Sequence, residues 1–284
     1  MTEQQYSGWR PIREHRMPMD PRKGERPEDA PVIPATRFFD QLSYIGNEFI
    51  GCFVLETKDG FVQIDSLDTD PRYIEILEQG YRELGLDIQD LKAVLITHGH
   101  PDHFGNSNYL REKYGCKLYM SSIDIAFAQD PNCPRAPGSP YMMFDMDGCI
   151  EGGDVFCLGG AEIKIYATPG HTPGCLSFII PVTDEGRPHK AALWGGTGIA
   201  AAVEHGQEYL KSSDYFTEMC IIEGVDAEIA THPFVDNTKE RLAVCRNITN
   251  GTANPFVIGC DAAVRYQQQF RKMCEARLFK ALGK

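Results

Sequence analysis

Between Ala93 and Asn106 the chain reads AVLITHGHPDHFGN, placing three of its eight histidines and an aspartate within the six positions from His98 to His103. The apolar run ahead of the cluster, LKAVLIT, has the length and composition of a buried strand. The histidines therefore stand at a strand's C-terminal end. Residues two apart on an extended chain point to the same side, so His98 and His100 can grip one ion together. Pro101 then turns the chain, and Asp102 and His103 begin the next helix facing elsewhere. This geometry favours two metal ions side by side. Imidazole nitrogens with a carboxylate suit Zn2+, at about four ligands per ion.

One cluster cannot complete two sites, so further ligands must come from other strand ends. ATPGHTPG supplies His171 after the strand AEIKIYAT, and ATHPFVD supplies His232 after another short strand. His15, His189 and His205 sit in polar loops or on helix faces and read as solvated.

The remaining pattern is that of a layered α/β protein. EFIGCFVLETKDGFVQID predicts a hairpin around Lys58, Asp59 and Gly60. DPRYIEILEQGYRELG predicts a helix, with a proline in its first turn and Ile74, Leu77, Tyr81 and Leu84 at helical spacing. HFGNSNYLREKYG reads as one helix closing on Gly115, and SSIDIAFAQ as a helix with a serine N-cap. Strands follow in VFCLGGAEIKIYAT, CLSFIIPV, KAALWG and AEIATHP, with helices over 206–223 and near the C-terminus. Residues 1–36, dominated by proline and charge, read as an extended N-terminal arm. Residues 37–284 show no repeat or linker and read as one domain built of two similar halves. The Pro- and Gly-rich stretch DPNCPRAPGSPYMMFDMDG is a long loop, with Tyr141 and Met142 as substrate contacts.

A formal charge of −12 and a pI near 5.1 argue against nucleic acid or an anionic membrane as partner. A small-molecule substrate is expected. No run has the form of a signal peptide or a membrane span, which points to the cytoplasm. The ten cysteines lack Cys-x-x-Cys spacing and read as small buried thiols of a reducing compartment. Nothing in the residues decides the oligomeric state.

Taken in order, THGHPDH, TPGHTPG and THP resemble the metallo-β-lactamase superfamily, from about Phe39 to the C-terminal helix. The resemblance implies a four-layer αββα sandwich with mixed sheets and metals between the sheet edges. It implies two Zn2+ per chain, the first held by His98, His100 and His171 and the second by Asp102, His103 and His232. Asp65, ending FVQID, matches the family's buried aspartate that supports the metal loop. Asp102 would also be catalytic, orienting a hydroxide held by the metals and passing its proton to the leaving atom.

One departure stands out. Most hydrolases of the superfamily carry a Gly-Asp whose aspartate bridges both metals, whereas this chain has LWGGTGIA, Leu193 to Ala200. In this it is most similar to the class B, subclass 3 metallo-β-lactamases, which lack that aspartate. Thr197 matches their substrate-facing serine. A site without the bridging carboxylate is more positive and favours substrates whose anion forms at the scissile group. The expected function is a zinc-dependent hydrolase opening a carbonyl bond of the β-lactam amide type. The alternatives are a cytoplasmic lactonase or thioesterase acting on a small metabolite, and a non-catalytic zinc-binding protein on the same scaffold.

Overall fold

From Val32 to Ile64 the chain runs as a meander of four antiparallel strands, β1 (Val32–Arg37), β2 (Leu42–Asn47), β3 (Gly51–Thr57) and β4 (Gly60–Ile64). These belong to a computed structural model that describes residues 23–130, 145–199, 203–247 and 252–282. Thr57 pairs with Gly60, so Lys58 and Asp59 form the predicted two-residue turn. Five of the six residues of β1 fall in the stretch read as an arm, so the sheet starts five residues ahead of the expected boundary at 37. Then α1 (Pro71–Leu84) crosses over to β5 (Leu91–Leu95), which pairs parallel with β4. α1 begins on Pro71, the first-turn proline its sequence predicts; the Asp70 side chain caps it and a left-handed Gly85 ends it.

After β5 the expected single helix is two pieces, α2 (Pro101–Phe104) and α3 (Ser107–Tyr114). The break is tertiary. Asn106 turns its amide onto the carbonyls of Ser66, at 2.9 Å, and Asp68, at 2.7 Å, anchoring the chain there. Then come β6 (Lys117–Met120), α4 (Ser122–Gln129) and β7 (Gly148–Cys149), and both strands extend the parallel part of the sheet. Tyr141 and Met142 lie outside the described residues.

The second sheet comprises β8 (Val155–Leu158), β9 (Ala161–Ala167), β10 (Leu176–Asp184), β11 (Arg187–Leu193) and β12 (Ala227–Ile229). Its spatial order is β12-β11-β10-β9-β8, antiparallel except where β12 joins β11. α5 (Val203–Glu223), α6 (Pro233–Asp236), α7 (Thr238–Arg246) and α8 (Cys260–Ala281) complete the described chain.

Strand alternation explains the layering. Phe53 and Leu55 of β3, with Val62 and Ile64 of β4, meet Leu176, Phe178 and Ile180 of β10 between the sheets. On the outer face of the first sheet, Cys52, Val54 and Val94 pack against Tyr73, Leu77 and Tyr81 of α1. On the outer face of the second, Ile179, Ala192 and Trp194 meet Tyr209 and Phe216 of α5 and Phe270 of α8. The result is the αββα sandwich, though its halves are unequal, at seven and five described strands. No described helix is long and apolar enough to cross a membrane.

A buried ion pair fixes the end of β12. Arg241 of α7 donates to Asp236 Oδ2 at 2.6 Å and to the Glu228 carbonyl at 2.9 Å, with its guanidinium 4.0 Å from the Phe256 ring centre. Asp236 is fully buried, so removing its partner strands a charge, at a cost of about 3–5 kcal/mol. Arg241→Ala is therefore expected to lower the unfolding free energy in urea by that amount. An unchanged midpoint would contradict the network's role.

Candidate metal centre

β9, β11 and β12 run in one direction, so their C-terminal ends share an edge of the second sheet. The ends of β4 and β5 share an edge of the first. A hydrogen bond from Leu176 N to Thr97 O, 2.9 Å, ties the two rims together. At this seam the structure brings together all six sequence-predicted ligands in two groups. His98, His100 and His171 form one, and Asp102, His103 and His232 the other, with the donor atoms of each group within 4.8 Å of one another.

In the first group His171 Nε2 lies 3.1 Å from His98 Nε2 and 3.0 Å from His100 Nδ1. A tetrahedral metal with bonds of roughly 2.0–2.1 Å to nitrogen needs ligand edges of about 3.3 Å, so these three nitrogens fit one ion with little movement. In the second group Asp102 Oδ2 lies 3.7 Å from His103 Nε2 and 3.6 Å from His232 Nε2. His103 Nε2 is buried and has no hydrogen-bond partner among the described residues. A buried lone pair left without a donor is costly, and a cation at this point satisfies it. The donor set therefore fits two metal ions.

Four of the five rings are oriented from behind by an acceptor at Nδ1. His103 Nδ1 meets Asp65 Oδ2 at 2.6 Å, His232 Nδ1 the Phe49 carbonyl at 2.8 Å, and His171 Nδ1 the Gly198 carbonyl at 2.5 Å. His98 Nδ1 is 3.0 Å from the Thr97 hydroxyl, which itself donates to Asp65 Oδ2 at 2.9 Å. Each bond places the proton on Nδ1 and leaves the Nε2 lone pair facing the site. Asp65, fully buried with a left-handed φ of 61°, also accepts from Thr97 N at 2.8 Å, so it braces the loop carrying His98.

Electrostatics divide the rings: burial opposes a charge on His103, but Asp65 and Asp102 raise its pKa above the ordinary histidine value, whereas His98 and His232 are lowered. Burial, reinforced by the neighbouring rings, holds the His98 pKa well below the ordinary histidine range, so that ring is neutral. Burial likewise lowers His232. For Asp102 burial opposes ionisation, but the fields of His103, His232 and the other rings outweigh it and bring its pKa to about 2. Aromatic rings wall the site. Phe49 and Phe234 stand 5.1 and 5.2 Å from His232, and Phe127 stands 5.9 Å from His100.

The LWGGTGIA loop lies directly behind His171. A Cβ at Gly196 would overlap the His171 side chain, and one at Gly198 would come within 2.8 Å of its Cε1. Trp194 pins the loop, donating its indole N–H to Gly196 O at 2.6 Å. The stretch that lacks a bridging carboxylate thus holds a histidine through backbone contact. Thr197 is half-buried in this loop, its carbonyl 3.4 Å from the Tyr209 hydroxyl.

Among the other histidines, His205 is exposed as expected, and His15 lies outside the described residues. His189 departs from the solvated reading: it bonds Asp226 Oδ2 at 2.6 Å, because the chain after α5 returns beside β11. The cysteines depart in part. Cys52, Cys116, Cys175, Cys220 and Cys274 are buried, but Cys149, Cys157 and Cys260 are exposed. Sequence reasoning missed the Phe49 and Gly198 carbonyls, which carry no side-chain signature. Thr97 it could have found, since it directly precedes His98.

The fold and this rim define a metallohydrolase-type scaffold. Residues 46–184, just under half of the chain, match the model of the metallo-beta-lactamase superfamily. By sequence it is 35% identical over 95 residues to a probable polyketide biosynthesis zinc-dependent hydrolase of Bacillus velezensis, covering 34% of this chain and 36% of that protein. It is 33% identical over 91 residues to a hydroxyacylglutathione hydrolase of Thiobacillus denitrificans, covering 31% and 29% respectively. The match thus spans about a third of the length of these curated relatives. By structure it resembles a subclass B3 metallo-beta-lactamase of Bradyrhizobium japonicum, with TM-score 0.77 and 22% identity over 91% of this chain and 98% of that one. A native metallo-beta-lactamase from Legionella gormanii matches at TM-score 0.77 and 22% identity, covering 92% and 100%. These structural likenesses concern the fold.

Proposed function

We propose that the chain is a zinc-dependent hydrolase that opens a carbonyl bond of the β-lactam amide type, using two Zn2+ per chain. His98, His100 and His171 would hold the first ion, and Asp102, His103 and His232 the second. When bound, such ions polarise a carbonyl oxygen and lower the pKa of water from about 15.7 to about 7. The Nδ1 anchors keep the rings from turning as substrate enters. Asp102 is the catalytic residue. Its Oδ2 faces His103 and His232, so Oδ1 is left to take a proton from an attacking water and return it to the leaving nitrogen. Phe49, Phe127 and Phe234 restrict water at the rim, and Thr197, Tyr141 and Met142 are assigned as substrate contacts. Asp65 positions His103 and the His98 loop.

The observation that carries the lactamase reading is the lack of a carboxylate in LWGGTGIA, where Gly196 instead lies against the His171 side chain. Likeness to subclass B3 folds supports the same choice. Similarity to a hydroxyacylglutathione hydrolase supports a second reading, hydrolysis of an acyl thioester or lactone. The nine described cysteines are free thiols, in keeping with a cytoplasmic site of action. A hydrolysis panel on the zinc-loaded protein separates the readings, using a chromogenic cephalosporin, aryl lactones and acyl thioesters. Cephalosporin turnover with kcat/KM above about 10⁴ M⁻¹ s⁻¹ is the expected result. Silence there, with thioester or lactone turnover, would replace the lactamase reading by the second.

A further inference from the structure

Asp124 sits in the first turn of α4, fully buried, at a point where an acidic residue ordinarily serves its own helix end. Its carboxylate does something else. Oδ2 accepts from Gly99 N at 2.7 Å and from the Thr172 hydroxyl at 2.6 Å, while Oδ1 accepts from Gly174 N at 2.6 Å. Gly99 lies between His98 and His100, and Thr172 and Gly174 follow His171. One side chain therefore ties together the two loops that carry the first histidine group, loops more than seventy residues apart in sequence.

The cap of the same helix repeats the connection. Ser121, the N-cap, accepts from Asp124 N at 3.1 Å and donates to Gly174 O at 2.7 Å. Both loops press against the start of α4. A Cβ at Gly99 would stand 2.8 Å from Asp124 O and 3.1 Å from Phe127, and one at Gly174 would overlap Ser121 Oγ. The glycines in HGH and HTPG thus admit α4 to the back of the metal loops.

We propose that Asp124 is the positioning residue of the first metal site, setting the spacing between the His98–His100 loop and the His171 loop and so the affinity for the ion. This rests on the metal-site reading above. The carboxylate is an acceptor for three donors, and all three bonds are charge-assisted. An amide in its place turns an N–H₂ toward one set of donors, so one loop must move away. The ring nitrogens of His98, His100 and His171 then no longer converge at 3.0–3.1 Å.

The test is zinc affinity, measured by competition with a chromogenic chelator, in a His232→Ala background that leaves the first group whole. Asp124→Asn is expected to weaken the remaining zinc by about 10- to 100-fold, as for other groups that orient metal ligands. Thr172→Val, which deletes one bond of the three and keeps the shape, should weaken it by a smaller factor. Leu77→Ala serves as the control for lost stability, since Leu77 is fully buried on α1, which carries none of the first histidine group and none of the Asp124 partners. It is expected to lower Tm and leave zinc affinity unchanged. Wild-type affinity in both Asp124→Asn and Thr172→Val would overturn the proposal, as would equal weakening by Leu77→Ala. A His232→Ala protein that takes up no zinc would overturn it together with the metal reading. If the wild type binds two equivalents yet hydrolyses nothing on the carbonyl panel, only the catalytic reading fails, and the affinity comparison still decides Asp124.

Discussion

Replacing His98 with alanine is expected to cut turnover by about 10³-fold or more, the scale seen when an essential group is removed from a hydrolase, and to lower the zinc content from two equivalents toward one. The ring is buried against Thr97 and contributes one of three converging nitrogens. With it gone, His100 and His171 offer two donors, too few for a closed four-coordinate site. Thr97 keeps its two bonds to Asp65, so the loop itself stays anchored and the variant should fold. His171→Ala should behave alike, because its Nε2 touches both partners. Metal analysis and kcat on the folded variant check this. Full zinc with full activity would remove His98 from the site.

Gly196→Ala is expected to have the second largest effect, despite adding a single methyl group. That methyl would overlap the His171 side chain, and the loop cannot easily retreat, because Trp194 holds Gly196 O and Gly195 N is bonded to Ser177 Oγ at 3.0 Å. His171 must then tilt and loosen its bond to the Gly198 carbonyl. Loss of such an orienting bond costs about 10- to 100-fold in metal affinity or activity. Gly196→Asp should do no better, since a carboxylate cannot reach the metals without first displacing the same ring. Zinc titration with kcat on both variants tests the point. Wild-type affinity in Gly196→Ala would show that the loop yields.

What could be read in the sequence, and what could not, follows from the range of the interactions. The Lys58–Asp59 turn, the Pro71 start of α1 and the strand-end positions of His98, His171 and His232 are local signals, and each appears where expected. β1 escaped because VIPATR carries Pro34, which a sheet tolerates at an edge, and β1 is an edge strand. The split between α2 and α3 depends on Asn106 reaching the Ser66 and Asp68 carbonyls, contacts some forty residues away. Cys149 and Cys157 sit in β7 and β8, the outermost strands of their sheets, where apolar-looking runs still face water. Asp124 was the least legible. In SSIDIA it resembles an ordinary first-turn acid, and only the folded chain brings Gly99, Thr172 and Gly174 to its oxygens.

The central claim, a hydrolase that needs both histidine groups filled, is tested most directly by removing metal with a chelator and returning zinc stepwise while following carbonyl hydrolysis. The stripped protein should be inactive, and activity should rise with added zinc and level off at two equivalents. Hydrolysis at the loaded rate by protein whose measured metal content is near zero would contradict the account.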